Sequence, residues 1–163
     1  MVKSQQLFDR LKQKKSYGKF MKDNSDAFLY TIFCILSKNE KEGDKIQFDF
    51  FIPRTNKIGH SEYPFDQLKV QKEPTSFKPE ILDLSVVKID LEDLWDVLAK
   101  TLVNKGDNLT VTKIMGVLRK EFWDLTCTTN TLDILRMKIN HSTGECIEYK
   151  KENLTNFIQI KKN

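Results

Sequence analysis

The chain has 163 residues, 39% hydrophobic and 31% charged, with 11 Phe and 2 Trp. That is enough apolar material for one domain or two small lobes, and too much for wholesale disorder. The longest apolar run, Ala27 to Leu36, is about half of the roughly 20 residues a bilayer-spanning helix needs, which excludes a membrane span; the first residues carry no secretory signal pattern, so a cytoplasmic location is expected. The net charge of +4 is uneven: residues 1–22 hold seven Lys/Arg against one acid, Asp9, and the rest of the chain holds 20 Lys/Arg against 22 acids.

In chain order, Leu7, Phe8 and Leu11 share one side of a helical wheel with lysines opposite, which predicts an amphipathic helix over 4–16 ended by Gly18. Asp23-Asn24-Ser25 reads as a turn. Ala27 to Leu36 is aromatic and β-branched on both faces, as expected of a central strand covered on both sides. After a polar loop over 37–44, Ile46 to Ile52 predicts a second strand, stopped by Pro53, and Ile58 to Pro64 a short third. Residues 65–80 have little periodicity and two prolines, which reads as a connector between two halves.

The second half opens with a candidate strand, Ile81 to Ile89. Asp90 sits at an N-cap position, with Glu92 and Asp93 in the first turn, and Leu91, Leu94, Trp95, Leu98, Leu102 and Val103 trace an apolar helical stripe stopped by Gly106. Thr110 to Leu118 fits helix or strand, with Thr110, Val111 and Thr112 favouring strand. Phe122 to Thr128, Leu132 to Asn140 and Glu145 to Tyr149 predict a meander whose last turn uses Gly144. The fold class is therefore α+β: two similar units of helix plus antiparallel sheet, residues 1–64 and 81–163, able to share one sheet. The hydrophobic pattern of Phe48–Ile58 can be laid beside that of Leu135–Ile147, which suggests an internal duplication.

The passage Val87-Lys-Ile-Asp-Leu-Glu-Asp-Leu-Trp, the strand Trp123-Asp-Leu-Thr and the hairpin Leu135-Arg-Met-Lys-Ile-Asn-His-Ser-Thr-Gly-Glu-Cys-Ile resemble the PepSY-type domain, a small helix-and-sheet module of cystatin-like shape, over residues 81–150. The first half, with Asn24-Ser-Asp-Ala-Phe-Leu-Tyr and Asp49-Phe-Phe-Ile-Pro, is similar to uncharacterised archaeal proteins built from tandem units of this kind. The resemblance implies a non-catalytic module that binds or regulates another protein.

Chemistry is sparse. There is no phosphate loop, dinucleotide fingerprint or nucleophile elbow among the six glycines. Cys34, Cys127 and Cys146 are odd in number and unpaired in spacing, so they read as buried reduced thiols, and Cys146 near His141 makes only a remote nucleophile pair. His60 and His141 fall near predicted turns and read as surface residues. Of the acids Asp90, Glu92, Asp93 and Asp96, the first three are accounted for by helix capping, which favours that reading of the cluster over a metal site or a catalytic carboxylate pair. No cofactor is expected.

Two binding surfaces are expected instead. Phe48, Phe50 and Phe51 cannot all face one way along a strand, so an aromatic contact surface for a protein or peptide partner is expected there. That partner could be a second copy of the chain, meeting at sheet edges. The alternative is nucleic-acid contact through Lys12, Lys14, Lys15, Lys19 and Lys22, with Tyr17 or Phe20 available for stacking.

Overall fold

The computed structural model describes residues 3–154. Among these residues eight strands lie in one antiparallel sheet: β1 (Phe28–Ser37), β2 (Lys45–Ile52), β3 (Lys57–Glu62), β4 (Lys69–Val70), β5 (Val111–Leu118), β6 (Phe122–Thr129), β7 (Asp133–Asn140) and β8 (Cys146–Asn153). Their order, β4-β3-β2-β1-β5-β6-β7-β8, is two meanders joined back to back, with the first strand of each pairing at the centre. Helices α1 (Ser4–Lys12), α2 (Lys15–Asp23) and α3 (Leu94–Asn104) precede their respective meanders. The protein is α+β, as the sequence predicts.

One face of the sheet carries the core. Leu7 and Leu11 of α1, Phe20 of α2 and Leu94 and Leu98 of α3 are buried against Ile32, Cys34, Phe48, Phe50, Ile114, Leu118, Trp123, Leu125, Leu135 and Ile139 of the sheet. Alternation along each strand supplies these residues from one side only, which is how a half-covered antiparallel sheet buries its apolar half. Asp90 ties the layer together: its carboxylate, itself buried, accepts from the Ser4 amide (3.1 Å) and the Ser4 hydroxyl (3.0 Å) and caps the following turn through Leu91 N (2.7 Å).

The structure departs from the sequence reading in four places. The N-terminal helix is two helices, broken at Gln13 and Lys14, and Gly18 lies inside the second rather than ending the first. Packing of Tyr17, Phe20 and Met21 on the sheet carries α2 through a glycine whose intrinsic cost is about 1 kcal/mol. Residues 81–89 form no strand; they run extended around a 3-10 turn at Leu84–Val86. Leu82 and Leu84 alternate inward as in a strand, but the segment has no ladder, only isolated bonds such as Leu82 N to Leu29 O and Ile89 N to His141 O. The segment 65–80 also contributes the two-residue edge strand β4.

The fourth departure concerns the repeat. In the mirrored strand order, the hairpin β2–β3 holds the place that β6–β7 holds in the second half. Phe48–Ile58, in β2–β3, and Leu135–Ile147, in β7–β8, therefore come from non-equivalent hairpins; any apolar strand followed by a tight turn gives the same short pattern.

Candidate binding face

The aromatic surface expected at Phe48, Phe50 and Phe51 does not exist: the three are 0%, 1% and 4% exposed. Phe48 and Phe50 point to the helical layer, where Phe8 stacks on Phe48 at 5.8 Å and Phe8, Tyr17 and Phe20 surround Phe50. Phe51 points the other way, between its cross-strand neighbours Phe28 and Ile58, at the corner where the connector is tied down by Thr75 N to Asn56 O and Leu82 N to Leu29 O. The sequence shows the alternation of β2 but not that a connector distant in the chain returns to this corner.

The basic segment divides into two groups. Lys12 is paired with Asp9 at 3.2 Å and lies over the Phe8 ring, and Lys14 is paired with Asp66 at 3.1 Å. Lys15, Lys19 and Lys22 fall at i, i+4 and i+7 on the exposed side of α2 and make no ion pair among the described residues. Neither predicted stacking partner is available, since Phe20 is buried and Tyr17 is wedged between Phe8 and Phe50.

The histidines are not both surface groups. His141 is 2% exposed and pins three segments: its Nε2 bonds Lys120 O at 2.7 Å, its amide donates to Glu121 O, and its carbonyl accepts from Lys88 N and Ile89 N. The turn carrying it is folded beneath the β5–β6 connection, a placement local sequence does not reveal. No thiol faces that imidazole; Cys146 Sγ donates to Glu148 O instead. Cys34 and Cys127 are buried, and burial pushes both thiols up to about 12. Among the described residues no group of three or more His, Cys, Asp or Glu is arranged to hold a metal ion, and no helix is long and apolar enough to cross a membrane.

What the structure offers as a surface is the other face of the sheet. Strand pairing places its side chains in rows that cross the strands about 4.8 Å apart. One row runs Gln47, Phe33, Val117, Asp124, Lys138, Glu148, and the next runs Lys45, Ile35, Met115, Thr126, Arg136, Lys150. The middle of both rows, on the central strands β1 and β5, is apolar: Phe33, Ile35 and Val117 are half-buried and Met115 is 39% exposed. Among the described residues no helix lies over them. This corrects the expectation that β1 is covered on both sides: its helical face is sealed, and among the described residues its other face is covered at the Phe28 corner but uncovered at Phe33 and Ile35.

One end of the open face bears a polar cluster. Asp49, nearly buried, accepts from Gln47 Nε2 at 2.8 Å and faces His60 Nδ1 at 2.9 Å. Beside it a cleft of about 530 Å³ opens between the connector and the β5–β6 turn, lined by Tyr30, Phe77, Pro79, Arg119 and Phe122. Burial in the cleft and the Asp49 carboxylate push the Tyr30 phenol up to about 12. The hydroxyl there is a neutral donor at physiological pH, next to an exposed guanidinium.

The sheet edges are less inviting. β4 is two residues long, and β8 carries a bulge opposite Lys138 and Ile139 and the adjacent Lys150 and Lys151, features that discourage further strand addition.

No family model matches this sequence, and no curated protein matches it. Among solved structures, the chain is similar in fold to one described as a "putative lipoprotein" from Clostridium difficile 630, with a TM-score of 0.53 and 14% identity, covering 83% of this chain and 89% of that one. At that identity the likeness extends to the α+β fold alone.

Proposed function

We propose that this protein is a non-catalytic module that binds another protein or peptide through the open face of its sheet. The observation carrying the reading is β1, whose sequence is apolar toward both sides while the described residues leave Phe33 and Ile35 without a covering layer on one of them. Phe33 and Ile35, with Val117 and Met115 of β5, form an apolar strip flanked by charged side chains on β6–β8, the arrangement of an interface core with a polar rim. The blunted edges favour docking on the face over strand addition. The same reading keeps residues 81–150 as a PepSY-type unit, supported by the passage from Asp90 through α3 into a four-strand meander, and takes the two halves as a duplication, supported by the mirrored strand order. It also takes the protein as cytoplasmic, supported by three free cysteines.

The second reading, nucleic-acid contact, rests on the Lys15, Lys19 and Lys22 line. Removing residues 1–22 would not isolate that line, because Leu7, Leu11 and Phe20 belong to the core. The test is affinity capture from nuclease-treated and untreated lysates with the native chain, a Met115→Lys variant, and a Lys15→Glu/Lys19→Glu/Lys22→Glu variant. A salt-tolerant protein partner lost with Met115→Lys and kept with the lysine variant is the expected result. Capture of nucleic acid that vanishes with the lysine variant, and is indifferent to Met115→Lys, would replace the first reading with the second.

A further inference from the structure

We infer that the open face takes an acidic protein segment, one with an apolar centre and carboxylates on both sides of it about 19 Å apart. The inference rests on the protein-binding reading and specifies the partner's chemistry. In the row that begins at Gln47, charge is matched internally: Asp124 is approached by Arg119 at 3.6 Å and Lys138 at 4.0 Å, and Glu148 lies in register with Lys138. The adjacent row has three cations and no acid. Arg136 stands directly opposite Lys150, a like-charge cross-strand pair that works against the free sheet. Lys150 turns to Glu152 at 2.9 Å and Arg136 also acts on that carboxylate from farther off, but one carboxylate serves both cations, and Arg136 and Lys45 make no ion pair within 4 Å among the described residues.

Lys45 and Arg136 are four strand spacings apart, about 19 Å at about 4.8 Å each. Between them lie Ile35, Met115 and Thr126. A partner matching this row presents apolar side chains at its centre and a carboxylate toward each end, over about 13 residues if helical or about 6 if extended. Polyphosphate fits it poorly, since the cations are few, the centre is apolar, and Asp124 and Glu148 stand in the next row.

The probe is a displayed library of random linear peptides selected on the full native chain. Enriched peptides are expected to be acidic with an apolar centre, to weaken about tenfold or more against Lys45→Glu/Arg136→Glu, and to be lost against Met115→Lys; circular dichroism melting checks that both variants fold. Peptides lost with Met115→Lys but unaffected by the charge reversal would overturn the acidic partner and leave the open-face reading standing. Peptides indifferent to both variants would overturn both. Absence of enrichment, or displacement of the peptides by a single-stranded oligonucleotide, would overturn the acidic segment.

Discussion

Replacing Gly116 with Ala tests how tightly the central strands pack. A Cβ at Gly116 would stand 2.9 Å from Cys34 Sγ, 3.1 Å from Trp123 Cζ3 and 3.2 Å from Leu125 Cδ2. All three neighbours are buried, and Trp123 is held in place by its Nε1 bond to Ile89 O at 2.8 Å. Overpacking of this kind costs about 1–3 kcal/mol, partly offset by about 0.5–1 kcal/mol from the lower chain entropy of Ala. The expected net loss is about 1–2 kcal/mol, or about 3–6 °C in the melting midpoint for a chain of this size.

Gly18→Ala is the internal control. It lies in α2 with nothing within 4 Å of the added methyl, so it should stabilise by about 0.5–1 kcal/mol. Calorimetry or urea titration of the two variants reads opposite signs. Adding Cys34→Ala removes the nearest clash, so the double variant should lose less than the two single losses combined. A Gly116→Ala protein melting at or above the native midpoint would refute the packing argument.

Asp90→Ala removes the acceptor of three hydrogen bonds and strands the buried Ser4 hydroxyl; a loss of about 2–4 kcal/mol is expected in urea titration, against about 1 kcal/mol for Ser4→Ala. A chain lacking residues 1–22 should show no cooperative unfolding transition by circular dichroism. Thiol titration of the native protein near pH 8 should modify Cys146 alone, with Cys34 and Cys127 reacting only after unfolding. Because both buried thiols are raised from 9.0 to about 12, the unfolded chain releases protons above pH 9 that the folded chain retains. Folding stability should therefore be insensitive to these groups below pH 9 and fall between pH 9 and 12, with Tyr30 adding to the fall above pH 10; urea midpoints measured across that range check the sign.

Elements whose signals are local were legible. The capping run at Asp90 and the apolar stripe after it give α3, and period-2 alternation gives β6, β7 and the turn at Gly144. What escaped depends on segments distant in the chain. Gly18 is helical because the sheet beneath holds Phe20; Leu82 and Leu84 imitate a strand while packing beside the core; His141 is buried because two turns and the 88–89 segment converge on it. The open face of the sheet shows the same division. The alternation of Asp124 and Thr126, of Arg136 and Lys138, and of Glu148 and Lys150 is visible in the sequence, but their rows exist only once strand register is known.

β1 carries the remaining information. A ten-residue strand apolar on both sides is the signature of a strand sandwiched between layers, and at the centre of an eight-stranded sheet that expectation is strongest. Among the described residues the helical layer is α1 to α3, and the opposite face has polar and charged residues on its outer strands with Phe33, Ile35, Val117 and Met115 in the middle. A second molecule seated on Phe33, Ile35, Val117 and Met115, as proposed above, would give β1 the second layer that its sequence leads one to expect. The predicted aromatic surface lay on the wrong strand because Phe48 and Phe50 of β2 face the helical layer and Phe51 is buried at the connector corner, while the apolar side chains of the open face lie one and two strands further in.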